Sequence, residues 1–335
     1  MATTVMRARA LAVVALVLTA TACGGAATPS NPTNPSPTNT VGAIYLNTMI
    51  ATMKGNSVNR ERIDWVSFST QVLASAPNAQ TIAETSPGIR TALGLLGDHH
   101  SFFQWATGNM ILNPTSPSCS VAAVSGVSVP ADIGYLQVGT LFGPAAADPT
   151  VYADTVQSSI RAQDRDGLAG WIVDLRGNGG GNMWPMIAGL GPVLGTGTAG
   201  FFVRPVGAAS AWGYNSDGTA YLTSFVQQRT TSPYTVKRGN PRIAVLTNKG
   251  TASSGEAVAV AFRGRPDTRS FGGETCGVPT SNSPFVFSDG STLWMTTAID
   301  ADRTSRTYDS PLQPDEAIAD PAAALQRAIE WVRGG

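Results

Sequence analysis

The feature that most constrains this chain is a pattern that occurs twice. An apolar run of strand length enters a turn of small residues, and the turn opens a helix. The first instance is GWIVDLRGNGGGNMWPM at 170–186; the second is IAVLTNKGTASSGEAVAVAF at 243–262. An apolar run without alternation is the signature of a strand buried on both faces, which occurs in parallel sheets covered by helices. Two strand–turn–helix units therefore predict an α/β fold with a mainly parallel central sheet. The flanking sequence extends the pattern. β-rich runs at 121–129 and 133–141 lead to a helix at 154–163. Short strands are expected at 270–272, 284–287 and 292–298, and a closing helix at 321–332.

Residues 41–103 read differently. Ile44, Leu46, Met49, Ile50 and Met53 fall at helical intervals, and further helices are expected at 63–74 and 82–96. This predicts a small N-terminal helical subdomain over 41–103, followed by a core domain over 104–335. Upstream, Arg7 and Arg9 precede the apolar run ALAVVALVLTA at 10–20, the build of an export signal over 1–22. The run is too short to span a bilayer as a helix, which takes about 20 residues. Small residues then precede Cys23, as in a bacterial lipobox, so Cys23 is the expected lipidation site; an ordinary secretory cleavage with Cys23 incidental is the alternative. Residues 24–40, GGAATPSNPTNPSPTNT, carry no charge and little apolar surface, which suits a flexible tether. The expected location is the outer face of a bacterial cell membrane, or the medium if Cys23 is unmodified.

Net charge is zero, only 13% of residues are charged and no basic run occurs, so nucleic acid is not an expected partner. Cys119 and Cys276 form an even pair in an exported chain, consistent with a disulfide or with two buried thiols. No metal site is expected: His99 and His100 are adjacent and have no obvious third ligand.

The two turns are where chemistry is expected. Glycines 179–181 expose backbone N–H groups with no Cβ in the way, suited to a developing oxyanion, an anion or simply a tight turn. The run lacks a following Walker lysine and is not a dinucleotide fingerprint, so no nucleotide cofactor is expected. In TASSG at 251–255, Ser253 sits where strand becomes helix and partly mimics a nucleophile elbow, with the Ser254 amide as a second oxyanion donor. On spacing alone, Ser253 and Ser254 can equally well cap the helix, with Glu256 completing a capping box. A nucleophilic serine needs a base. The only histidines are His99 and His100; Lys249 and Lys237 are the alternatives.

DLRGNGGG at 174–181, VLTNKGTASSGE at 245–256 and GGETCG at 272–277 together resemble the tail-specific, or C-terminal-processing, serine peptidase family, over about residues 133–315. The resemblance implies a crotonase/ClpP-like ββα core and places Ser253 at the nucleophile position, with the Ser254 amide and one amide of Gly179, Gly180 or Gly181 as oxyanion donors. Processing peptidases carry a lysine base after GExTxG. Here GETCGVPTSNS puts Val278 near that place, and no lysine follows Lys249. LGDHHSFF at 96–103 is instead similar to the L-x-D-x-H-[ST] motif of the tricorn-core and retinoid-binding-protein-like branch, which makes His100 the implied general base. In that branch a carboxylate near the C-terminal PD helps orient the histidine. RTYDSPLQPD at 306–315 offers Asp309, with Tyr308 as an off-by-one alternative and Glu274 as runner-up. The interval 104–132 is too short for the family's PDZ domain.

The expected function is an exported serine peptidase that cleaves a peptide or protein substrate through an acyl-enzyme on Ser253. The retinoid-binding relatives imply an alternative, a lipid-anchored, non-catalytic binder of peptides or apolar ligands. An α/β-hydrolase esterase would need a histidine after the serine, and both histidines precede it.

Overall fold

The structure is a computed structural model that describes residues 40–335, except 120, 122–123 and 144–147. The proposed signal, Cys23 and all but the last residue of the tether lie outside the described residues.

The two strand–turn–helix units lie side by side. Strands Gly170–Asp174 and Arg242–Thr247 pair in parallel, with Trp171 opposite Ile243 and Val173 opposite Val245. Ile133–Gln137 adds in parallel on one side. Thr268–Gly272 and then Glu316–Ala317 add in parallel on the other, giving a five-stranded sheet. Every residue of Gly170–Asp174 is buried, as a strand covered on both faces requires. Helices Pro149–Gln163, Met183–Leu194 and Ser254–Phe262 belong to the large cluster on one face, built around Trp171, Val173, Ile187 and Val258. Helix Pro321–Val332 covers the other face, packing Ala328 and Ile329 on Ile172, Ala244 and Phe271.

A second sheet is nine-stranded, and of its strands the sequence announces only those at 284–287 and 292–298. Its long central strand, Thr292–Asp302, pairs antiparallel with Phe102–Gln104, Thr280–Val286, Gly197–Val203 and Thr307–Tyr308. Beyond Gly197–Val203 the sheet continues through Ser210–Tyr214, Thr219–Leu222 and Phe225–Arg229. The fold is thus mixed α/β, with parallel and antiparallel layers. The 121–129 run is not a strand at any described residue; Gly126 takes φ +68° there.

Helices Val41–Asn56, Trp65–Ala74 and Ser86–Leu95 form where the helical periodicity placed them. Thr40 and Asp64 cap the first two by accepting from Ala43 N–H and from Val66 and Ser67 N–H. Their buried side chains, among them Leu46, Met49 and Leu93, share one cluster with Phe103, Leu293 and Met295 of the antiparallel sheet. The described residues fall in one compact unit, with the helices layered on the antiparallel sheet. That packing carries the GDHHS segment to the sheet edge.

Candidate active site

The DLRGNGGG turn is fixed by a buried ion pair. Arg176 Nε donates to Asp174 Oδ1 at 2.9 Å, its Nη2 to Oδ2 at 2.6 Å, and its Nη1 to the carbonyl of Pro321 at 2.9 Å. Tyr135 Oη also donates to Asp174, at 2.8 Å. Both charged side chains are almost fully buried, so losing one partner strands the other. Asn178 then ties the two turns together: its carbonyl accepts from Ala252 N–H at 2.9 Å and its Oδ1 from Gly180 N–H at 2.9 Å. Thr251 Oγ1 donates to the carbonyl of Leu175 at 2.8 Å.

The glycines of this turn are not equivalent. Gly179 N–H donates to Thr140 Oγ1 at 2.8 Å and Gly180 N–H is taken by Asn178. Gly181 N–H and Ser254 N–H have no acceptor among the described residues, and both residues line one cavity of about 830 Å³. Gly180 stands at φ +98°, and a Cβ there would lie 2.9 Å from Ser253 Cβ and 3.0 Å from Ser254 N. The glycine run therefore lets its backbone press against the serine turn.

Ser253 lines the same cavity. Its backbone sits at φ +53°, ψ −119°, a conformation that side chains with a Cβ rarely adopt and that costs of order 1–3 kcal/mol. Its N–H donates to Glu256 Oε2 at 2.9 Å, which is the Glu256 half of the capping arrangement. Glu256 is buried and also accepts from the Thr275 hydroxyl and from Gly277 and Val278 N–H, both at 2.9 Å. One carboxylate thus organises the turn. Beside it Cys119 and Cys276 are joined by a disulfide, Cα–Cα 5.3 Å, packed with Ala252 and Val278. Cys276 N–H donates to the carbonyl of Thr251 at 2.9 Å.

His100 reaches the cavity from the edge of the other sheet. Asp98 Oδ1 accepts from His100 N–H at 3.0 Å and Ser101 N–H at 2.9 Å, and Asn282 Nδ2 donates to the His100 carbonyl at 3.1 Å. His100 Nδ1 lies 2.7 Å from Thr280 Oγ1. If Nδ1–H donates there, Nε2 keeps its lone pair. Burial lowers the imidazole pKa to about 4, so the ring is neutral at pH 7. No hydrogen bond joins His100 to Ser253. His99, at φ +60°, turns outward onto Thr115 Oγ1 at 2.7 Å.

The two carboxylates expected near His100 are elsewhere. Asp309 is exposed and has no hydrogen bond to His100. Glu274 is also exposed; it pairs with Lys249 at 3.4 Å and accepts from Gln313 at 2.9 Å. Tyr308 donates its hydroxyl to Asp302 at 2.6 Å. None of the three lines the Ser253 cavity. The group on His100 is a hydroxyl, Thr280, and the acid in the cavity wall is Asp300. Sequence reasoning reached neither residue. Both lie on strands of the antiparallel sheet, and no turn or motif marks them.

Among the described residues no cluster of three or more His, Cys, Asp or Glu is arranged to hold a metal, and no helix is long and apolar enough to cross a membrane.

Comparison with known proteins gives the family and the fold. The chain is 30% identical over 279 residues to the nisin-resistance protein of Lactococcus lactis subsp. lactis, covering 81% of this chain and 80% of that one. Its fold is similar to that of a lipoprotein from Streptococcus agalactiae, with TM-score 0.67 and 22% identity, covering 87% of this chain and 95% of the other. It is also similar to the photosystem II D1 C-terminal processing protease, with TM-score 0.54 and 14% identity, over 88% of this chain and 98% of that one. Residues 132–318, which hold both turns and more than half of the chain, match peptidase family S41, and the chain belongs to that family.

Proposed function

We propose that this protein is an exported serine peptidase in which Ser253 is the nucleophile and His100 the general base. The observation that carries the reading is one cavity lined by a strained serine, a neutral, half-buried histidine and two residues with unengaged backbone N–H groups, Gly181 and Ser254. His100 Nε2 takes the Ser253 proton as Oγ attacks the scissile carbonyl. The oxyanion rests on the Gly181 and Ser254 amides. His100 then protonates the leaving amine, and water activated by the same ring releases the acyl group. The missing Ser253–His100 hydrogen bond is compatible with this scheme, because such contacts often tighten only when substrate binds.

Export and anchoring belong to the same proposal: residues 1–22 as signal, Cys23 as the lipid-bearing residue, 24–40 as tether. Similarity to a lipoprotein supports it. Loss of palmitate labelling in Cys23→Ala would agree; unchanged labelling would contradict it. The name of the Lactococcus relative makes nisin a rational first peptide substrate to test.

The histidine gives a pH test. Its pKa is depressed, so the active neutral form persists down to about pH 4. The kcat/KM of a peptide substrate with no basic side chain is expected to stay level from pH 7 to about 5 and to fall about tenfold per unit below about 4. An acid limb centred near pH 6.5 would assign the rate to another base.

A further inference from the structure

Asp300 is the one group in the cavity wall that the mechanism does not use and the fold does not satisfy. It is 1% exposed, and neither carboxylate oxygen has a hydrogen-bond partner among the described residues. Other carboxylates that are buried or half-buried are well served: Asp174 by Arg176 and Tyr135, Glu256 by Thr275 and three backbone N–H groups, and half-buried Asp98 by Ser101 and the His100 amide. An orphaned acid is costly to the folded state unless something arrives to pair with it. Asp300 lines the same cavity as Ser253, and so do Trp184, Phe202 and Leu222.

We propose that Asp300 is a specificity-determining residue of the Ser253 site, and that the site takes peptides bearing a lysine or arginine side chain whose cationic head seats against Asp300. The inference rests on the peptidase reading above and names its substrate class. A cationic head supplies the missing donors, two of them from a guanidinium. The aliphatic stem of lysine or arginine suits walls of Trp184, Phe202 and Leu222, which would shed water onto it.

The surrounding charges leave this place for the substrate. On the helix behind, Glu256 is the charged group that acts on Asp300, and it is a second carboxylate. Across the cavity, His100 is neutral. On the same strand Asp302 is occupied by Thr304 and Tyr308. On the Thr307–Tyr308 strand the phenol of Tyr308 is turned to Asp302. After the Gly197–Val203 strand, Arg204 lines the cavity but is exposed and makes no ion pair with Asp300. Burial and the Glu256 charge push Asp300 up to about 8. In the empty cavity it is therefore protonated at pH 7, and seating a cation requires that proton to leave. Affinity for a cationic peptide should thus rise about tenfold per pH unit up to about pH 7.5 and level off above about 8.

The test uses the inactive variant Ser253→Ala, so that it reads binding whether or not the enzyme reading holds. A randomised decapeptide library is passed over the immobilised protein at pH 8, and the retained peptides are sequenced. The best binder is then resynthesised with norleucine in place of its basic residue, and both forms are titrated from pH 6 to 9. The expected result is enrichment of lysine or arginine at one position. The basic form should bind at least about tenfold more tightly than the norleucine form at pH 8, a difference that shrinks toward pH 6 and is lost in Ser253→Ala/Asp300→Asn. A cooperative melting curve shows that the double variant is folded. If it is not, the pH dependence of the lysine–norleucine difference in Ser253→Ala decides alone. No basic enrichment, equal affinity of the two forms, or a preference that persists in the folded double variant would overturn the proposal. No turnover of the retained peptides by the wild-type protein, with basic enrichment intact, would instead count against the peptidase reading.

Discussion

The two strand–turn–helix units share a shape and differ in what holds them. In the glycine unit, positive φ angles fall on residues that adopt them freely: Gly177 at +76°, Gly180 at +98° and Gly181 at +106°. Its tension is electrostatic, a buried Asp174–Arg176 pair anchored to the Pro321 carbonyl. In the serine unit, the positive φ falls on Ser253, which carries a Cβ, and the neighbourhood holds it there. Glu256 grips its amide, Asn178 grips the Ala252 amide, and the Cys119–Cys276 disulfide packs against the turn. Strain sits where the proposed nucleophile is, and the unstrained unit acts as the surface it is braced against. Strain of this kind persists only when surrounding structure over-determines it.

That contrast can be broken from either side. The largest effect is expected from Arg176→Leu, which leaves Asp174 buried without its cation. Chemical denaturation should report a loss of about 3–5 kcal/mol, and a loss below about 1 kcal/mol would mean that the pair does not hold the turn. Gly180→Ala should follow, because it combines a forbidden φ with a Cβ 2.8 Å from the Ala252 carbonyl. A cost of about 2–3 kcal/mol is expected, with the Ser253 turn displaced; activity retained at wild-type level would show that the glycine unit does not brace the serine. The smallest effect has the opposite sign. Ser253→Gly keeps the backbone, removes the hydroxyl and relieves the strained φ. It should raise stability by about 1 kcal/mol while abolishing turnover, whereas destabilisation would indicate that the turn is not strained.

Much of this arrangement was legible in the sequence, for identifiable reasons. Runs such as GWIVDL and IAVLT announce strands buried on both faces, and the five-stranded parallel sheet contains both. Motif spacing brought Ser253 and the glycines together, and LGDHHS singled out His100 over its neighbour, which the structure turns outward. What stayed hidden is most of the antiparallel layer, in which only 284–287 and 292–298 read as strands. Its strands between 197 and 229 are short and their burial does not alternate regularly, so their periodicity is weak. Thr280 and Asp300 lie just beyond the ends of the runs that read as strands, 284–287 and 292–298, so the hydroxyl on His100 and the acid in the cavity wall were hidden. Asp300 in TAIDAD reads as one turn of an alternating strand, and only the packing of the Ser253 helix against it makes it a buried acid. The carboxylates implied by resemblance, Asp309 and Glu274, are exposed and do not line the Ser253 cavity.

The central claim is that Ser253 is a nucleophile activated by His100 rather than a helix cap. Reaction of the purified protein with a fluorophosphonate probe, followed by mapping of the modified peptide, tests it most directly. The account predicts a single adduct on Ser253 that is lost in Ser253→Ala and slowed at least about a hundredfold in His100→Ala. Labelling at another residue, or labelling of Ser253 that does not depend on His100, would contradict it.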